Sequence, residues 1–168
     1  DHTYSIGLED TYTPSPQWQI LGGISYDKKE SDEAYDKNSG TVPLELGDQD
    51  ALNPEAALIY SLDSTSKIRA SIAQKTYLPS MKDRYSRKFG TFEPNPDLDA
   101  EHVVHYELSY QQTLGAVSGK LAGVYSVVND AIQAVYINST VQQNQNVGDF
   151  EHRGVEMELK YKTDTLET

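Results

Sequence analysis

The chain has 168 residues, enough for one domain with its own core, and no cysteine, which excludes disulfides and thiolate zinc sites. Fourteen basic residues against 26 acidic ones give a formal net charge of −12, which excludes the basic surface that nucleic-acid binding requires. The aromatic residues are 12 tyrosines, three phenylalanines and one tryptophan. Tyrosine joins an apolar ring to a polar tip, so this balance suits strand ends at a membrane interface or a sugar-binding sheet.

Apolar and polar residues alternate in several short segments, which predicts strands with one apolar face. In chain order the predicted strands cover residues 3–12, 18–27, 56–62, 67–77, 102–111, 120–128 and 153–162. The sixth is expected to continue to residue 137 after a kink near Asn129 and Asp130. No apolar run approaches the ~18 residues of a membrane-spanning helix.

Short and long connections alternate between these strands. The short ones are residues 13–17, 63–66 and 114–119, and the long polar ones are 28–55, 78–101 and 138–149. This alternation is typical of outer-membrane barrels, which have tight turns at one end and extended loops at the other. The pattern predicts an all-β, antiparallel up-and-down meander of about seven strands, a portion of an outer-membrane β-barrel.

Several ordered runs of residues resemble a known family. They are RAS at 69–71, KTYLPS at 75–80, NPDLDAE at 95–101, YELSY at 106–110 and NVGDFEHRGVE at 146–156. Together they resemble the barrel of TonB-dependent outer-membrane receptors. The resemblance implies energised uptake of a scarce anionic ligand, such as a ferric siderophore, across the cell outer membrane. It also implies contact with outer-membrane lipid, and with the TonB complex through a plug domain.

The chain departs from that family in length. Family members have about 22 strands around an N-terminal plug, and closed bacterial barrels have an even number of strands. We therefore expect residues 1–168 to be a β-barrel fragment that lacks the plug and the remaining strands. An exposed apolar face and two unpaired edge strands predict that the isolated fragment associates with itself.

The alternative is a self-contained soluble β-domain that binds a carbohydrate or protein partner through its tyrosines and long loops. A mean hydropathy of −0.63 keeps this alternative open. A third interpretation, an outer-membrane hydrolase, is disfavoured because the sequence has no Gly-x-Ser-x-Gly motif and no cysteine nucleophile. Neither an enzyme nor a cofactor is therefore predicted.

Metal binding is not expected either. The odd spacing of His102 and His105 sends the two side chains to opposite faces of a strand. The Asp-x-Asp pairs at 48–50 and 97–99 lack the glycine and terminal glutamate of a helix-loop-helix calcium site.

Period-two alternation also assigns the faces of the sheet. The lipid side is predicted to have Ile20, Ile24, Ile68, Ile72, Tyr106, Leu108, Val155, Met157 and Leu159, and the lumen side Arg69, Lys75, Glu107, Glu156 and Glu158.

One loop concentrates positive charge in this acidic chain. Four cations and three aromatic residues stand between positions 82 and 92, opposed only by Asp83. Arginine forks bind carboxylate or phosphate groups, and aromatic rings pack against ligands. The candidate ligand-binding residues are therefore Lys82, Arg84, Tyr85, Arg87, Lys88, Phe89 and Phe92.

Overall fold

The computed structural model of the chain describes residues 2–30 and 47–162. Within these residues the strands are β1 His2–Ser15, β2 Trp18–Glu30, β3 Gln49–Ser61, β4 Ser66–Tyr77, β5 Glu101–Leu114, β6 Val117–Asn129, β7 Ile132–Tyr136, β8 Gln142–Asn146 and β9 Phe150–Tyr161. A short helix, α1 Met81–Tyr85, and a 3-10 turn, Lys88–Gly90, lie between β4 and β5. No helix in the described ranges is long and apolar enough to cross a membrane.

Seven strands form one antiparallel sheet in the order β1-β2-β3-β4-β5-β6-β9, while β7 and β8 form a separate hairpin. The predicted seven-stranded antiparallel meander is therefore confirmed. Within the described residues the sheet is open, and β1 and β9 are its edges.

The strand register fixes which side chains share a face, because directly opposed residues project to the same side. One row of opposed residues crosses the whole sheet: Tyr12, Ile20, Leu58, Ala70, Leu108, Gly123 and Val155. The neighbouring rows place all nine predicted apolar residues on this face. The five predicted polar residues lie on the other face, so the predicted division of the faces is confirmed.

Aromatic residues form two belts on the apolar face. The belt near the short turns contains Tyr12, Trp18, Tyr60, Tyr110 and Tyr161, and the belt toward the long connections contains Tyr4, Tyr26, Tyr106 and Tyr125. In β9 the row of Tyr12 ends at Val155, six residues before Tyr161. Between β1 and β9 the belt near the short turns therefore shifts by six residues, about 20 Å along the strands. Over the same six strand intervals it crosses about 29 Å of sheet, so it is inclined by about 35° to the rows of opposed residues.

Two prolines lie inside strands where the sequence predicts a turn or a loop. Pro14 belongs to β1, beside a register irregularity between Tyr12 and Ser15 that accommodates it. Pro54 belongs to β3 next to Glu55, where the ladder with β4 begins, so no β4 residue opposes the proline. The predicted long loop 28–55 was therefore wrong at its ends, since residues 28–30 and 49–55 are strand. Its residues 31–46 lie outside the described residues.

The predicted kink near Asn129 and Asp130 is confirmed and residues 132–136 are strand, but the prediction that they continue the sixth strand was wrong. Asp130 has a left-handed φ of 55°, which turns the chain out of the sheet after β6. Residues 132–136 then pair with Gln142–Asn146 instead of with a sheet strand. Part of the predicted loop 138–149 is consequently strand β8.

Candidate ligand-binding surface

The connection between β4 and β5, residues 78–100, is called the basic loop here. Its helix α1 begins at Ser80, whose hydroxyl accepts the Asp83 N–H while the Asp83 carboxylate accepts the Ser80 N–H, a capping box. The same carboxylate accepts the Tyr77 hydroxyl at 2.6 Å. Burial alone would raise the pKa of Asp83, but the hydrogen bonds from Ser80 and Tyr77 outweigh burial and leave that pKa below its usual value.

Arg84 lies in the interior of the basic loop. It is 8% exposed, and its guanidinium donates to the carbonyls of Pro96 and Gly47, with Nε at 3.0 Å from the former and Nη1 at 2.9 Å from the latter. Its carbonyl accepts the Asn95 N–H at 2.7 Å. Tyr85, 9% exposed, has its ring centroid 5.3 Å from the guanidinium carbon. These two predicted ligand residues therefore stabilise the fold of the loop in this structure.

The other candidate residues lie nearer the surface. Lys82, Arg87 and Lys88 are exposed, and Phe92 is half-buried. The ammonium of Lys88 lies 5.9 Å from the ring centroid of Phe92, within the range of a cation–π contact. Of Phe89 only the backbone is described. The loop thus presents three exposed cations and a half-buried ring, and their contact with a ligand stays a prediction.

The β7–β8 hairpin packs against the basic loop through its backbone. The N–H of Glu93 donates to the Gln142 carbonyl at 2.8 Å, and the N–H of Gln142 donates to the Thr91 carbonyl at 2.9 Å. The loop segment around Phe92 is thereby a parallel neighbour of β8. The sequence predicts a long polar loop at residues 138–149, and nothing in its pattern indicates this contact.

The polar face of the sheet has charged and concave features below the loops. Glu107, with its side chain 13% exposed, lies 2.9 Å from Lys120 and 3.9 Å from Arg69. Beyond Glu55 and Ala73 the ladder between β3 and β4 ends. A cavity of about 530 Å³ lies there, with Glu9, Asp27, Asn53, Glu55 and Lys75 among its lining residues.

The two histidines considered for a metal do not converge. His102 is hydrogen-bonded to Thr76 at 3.1 Å, and His105 to Ser126 at 2.8 Å. The register puts them on opposite faces of β5. Among the described residues no group of three or more histidine, aspartate or glutamate side chains could hold a metal ion.

Solved structures with a similar fold include an iron transporter, a hemophore receptor and a siderophore receptor. The FrpB iron transporter from Neisseria meningitidis, F3-3 variant, has a TM-score of 0.74 at 18% identity, with 96% of this chain and 23% of that chain covered. The Serratia marcescens hemophore receptor HasR, solved with HasA and heme, has a TM-score of 0.75 at 16% identity, with 96% and 32% covered. The siderophore receptor PirA from Pseudomonas aeruginosa has a TM-score of 0.71 at 16% identity, with 92% and 27% covered.

At these identities the likeness is one of fold, and the chain spans about a quarter to a third of each structure. No curated protein matches the sequence significantly. The family model described as "TonB dependent receptor-like, beta-barrel" matches residues 1–166. The chain therefore belongs to the family of TonB-dependent receptors, in its β-barrel region.

Proposed function

We propose that this chain is a fragment of the transmembrane barrel of an outer-membrane receptor for energised uptake of a scarce anionic ligand, such as a ferric siderophore. The family match supports transport, and it favours a barrel over a self-contained soluble domain or an enzyme. The similar structures are named an iron transporter, a hemophore receptor and a siderophore receptor, which supports a metal chelate as ligand.

The two aromatic belts are the observation that supports membrane insertion most directly. Their inclination of about 35° to the rows matches the strand tilt of outer-membrane barrels, ~35–45°. Tyr4 and Tyr12 stand eight residues apart on β1. For strands tilted by about 35° from the membrane normal, the distance between Tyr4 and Tyr12 along that normal is about 22 Å, close to the ~25 Å apolar band of such barrels. The exposed apolar side chains between the belts would contact outer-membrane lipid.

The edges of the sheet support a longer receptor. Strands β1 and β9 each have a neighbour on one side only among the described residues. We propose that further strands of the same polypeptide complete the barrel and that a plug domain elsewhere in it engages the TonB complex. Without those strands the fragment would associate with itself, because its edges and its apolar face would be uncovered.

Uptake by the complete receptor tests this proposal. Cells that lack their own siderophore and heme receptors would express it under iron limitation and receive radiolabelled iron as ferric enterobactin, ferric hydroxamates or heme. We expect accumulation of at least one of these compounds, and we expect deletion of TonB to abolish it. Failure to accumulate any of them, or accumulation that persists without TonB, would contradict the proposal.

The exposed cations are the proposed ligand contacts. Replacing Lys82, Arg87 and Lys88 together by alanine should weaken binding of the accumulated compound by about 1.5–3 kcal/mol for each charged hydrogen bond lost. The matched control replaces Lys67, Lys160 and Lys162, which are exposed near the short turns. If the cations only steer the ligand, the loss should lie in the association rate and fade with salt. Equal affinity and equal association rate in the two triple variants would show that the cations of the basic loop neither contact nor steer the ligand.

A further inference from the structure

Side-chain amides of β8 contact the backbone of the basic loop along its length. Asn144 Nδ2 donates to the Asp83 carbonyl at 2.9 Å, and Gln143 Nε2 donates to the Pro94 carbonyl at 2.9 Å. Asn146 Nδ2 donates to the Asp99 carbonyl at 3.2 Å. Carbonyls at three separate points of the loop are therefore bonded to one short strand.

Asn144 joins the two arms of the loop. Its amide reaches Asp83 in α1, on the arm that follows β4, and its own carbonyl accepts Asn95 Nδ2 at 2.8 Å from the arm that leads to β5. Lys82 and Lys88 lie within six residues of Asp83. The position of these cations therefore depends on a hairpin that is distant from them in sequence.

The hairpin is in turn anchored to the sheet. The N–H of Ile132 donates to the Glu101 carboxylate at 2.9 Å, at the start of β5. The N–H of Ala131 donates to the Gly148 carbonyl at 3.0 Å, and the N–H of Val147 donates to the Ala131 carbonyl at 2.9 Å, just beyond β6. A continuous series of hydrogen bonds thus runs from the barrel wall through β8 to the basic loop.

We infer that the β7–β8 hairpin positions the basic loop, with Asn144 and Gln143 as positioning residues that fix the exposed cations relative to the barrel wall. The effect of this positioning on ligand affinity rests on the proposed function, since it concerns the loop proposed to contact the ligand. The effect on the geometry of the basic loop can be measured without a ligand.

Distance measurements between spin labels test the geometric part in the complete receptor. Residues 1–168 contain no cysteine, so once any cysteine elsewhere in the receptor is replaced, Lys82→Cys and Ser64→Cys give one label on the basic loop and one on the β3–β4 turn. We expect a narrow distance distribution in the otherwise unchanged receptor and a distribution at least twice as broad with Asn144→Asp, which removes the amide donor. Asn144→His, which keeps a donor, should restore the narrow distribution. Gln133→Glu adds the same charge on an exposed position of β7 and should change nothing.

The affinity part is measured in receptors without labels, with ferric enterobactin as the probe. Asn144→Asp should weaken binding about tenfold at low and at high salt, whereas loss of the cations weakens it in a salt-dependent way if they only steer. A narrow distribution with Asn144→Asp or a broad one with Gln133→Glu would overturn the inference. An unchanged affinity despite a broad distribution would leave the positioning role in place and count against the basic loop as a ligand contact. Absence of binding by the unchanged receptor would count against the proposed ligand and leave the distance result to decide the geometry.

Discussion

The large apolar side chains of the seven-stranded sheet point outward, whereas the layer formed by the basic loop and the β7–β8 hairpin has buried apolar side chains as well as exposed ones such as Tyr136. Met157 and Val155 of β9 are 84% and 78% exposed, while Leu98 of the basic loop is 1% exposed. The largest fully buried side chains among the described residues, Leu98 and Pro79, both belong to the basic loop.

The difference shows that the two regions obtain stability from different sources. The sheet has strand-to-strand hydrogen bonds but little apolar core, so we infer that its apolar face is covered by something outside the chain. The loop layer has a small core and side chains that satisfy buried carbonyls, an arrangement that leaves few polar groups unpaired. A substitution on the apolar face of the sheet should therefore change the stability of the whole fold, because it alters contact with whatever covers that face. A substitution in the loop layer should change stability only in that layer.

The largest effect is expected from a charge on the apolar face. Met157→Arg, midway along the apolar part of β9, should destabilise the receptor folded in lipid vesicles by about 2–4 kcal/mol, the cost of arginine near the midplane. Urea titration followed by heat-modifiable gel mobility measures this. Glu156→Arg places the same side chain on the opposite face of the strand and should cost much less. Similar losses for the two variants would mean that lipid does not cover the apolar face.

A smaller and local effect is expected in the loop layer. Arg84→Ala leaves the Pro96 and Gly47 carbonyls without their donor, at about 1–3 kcal/mol for each carbonyl that stays buried and unpaired. Hydrogen exchange should accelerate in residues 78–100 and stay unchanged in β5 and β6. Lys82→Ala, two residues away and exposed, is the control and should leave exchange as it is. Acceleration that spreads into the sheet would show that the two regions unfold together.

The sequence was sufficient to predict the sheet because the alternation of apolar and polar residues within each strand shows which of its faces is apolar. Period-two alternation assigns a face without knowledge of the neighbouring strand, as in the run from Val155 to Tyr161. The Asp63 turn is equally local: its carboxylate accepts hydrogen bonds from Thr65 and Ser66, which lower the pKa of Asp63 to about 2. The tyrosine-rich composition was compatible with aromatic residues at strand ends, but only the register reveals the two belts and their inclination.

The loop layer was not predictable to the same degree, because its contacts join residues far apart in sequence. The acceptors of Arg84 lie 12 and 37 residues away, and Asn144 bonds a carbonyl 61 residues away. The residues next to an arginine in a loop do not show whether its side chain is exposed or buried. The amide-rich sequence of β8 indicated a polar segment. Its hydrogen-bond partners could not be identified from the sequence, because they are backbone carbonyls and every residue has one.

The smallest predicted effect is a pH dependence confined to the loop layer. The Asp83 carboxylate accepts the Ser80 N–H at 2.8 Å, the Ser80 hydroxyl at 2.6 Å and the Tyr77 hydroxyl at 2.6 Å. These bonds favour the ionised carboxylate and hold the pKa of Asp83 below the ~3.9 of an unfolded aspartate. A carboxylate with a lowered folded pKa contributes stability above its unfolded pKa, and loses that contribution as pH falls through the folded value.

Hydrogen-exchange protection of residues 78–86, corrected for the intrinsic pH dependence of exchange, should therefore be constant from pH 7 to about pH 5 and fall below about pH 4. Asp83→Asn should show the weaker protection at every pH, because an uncharged amide replaces the carboxylate that caps α1 and accepts Tyr77. Asp97→Asn, exposed in the same loop, is the control and should follow the unchanged receptor. If Asp83→Asn retained full protection at pH 7, the capping box would not hold the start of the basic loop, and the order of this region would have to come from Arg84 and β8 alone.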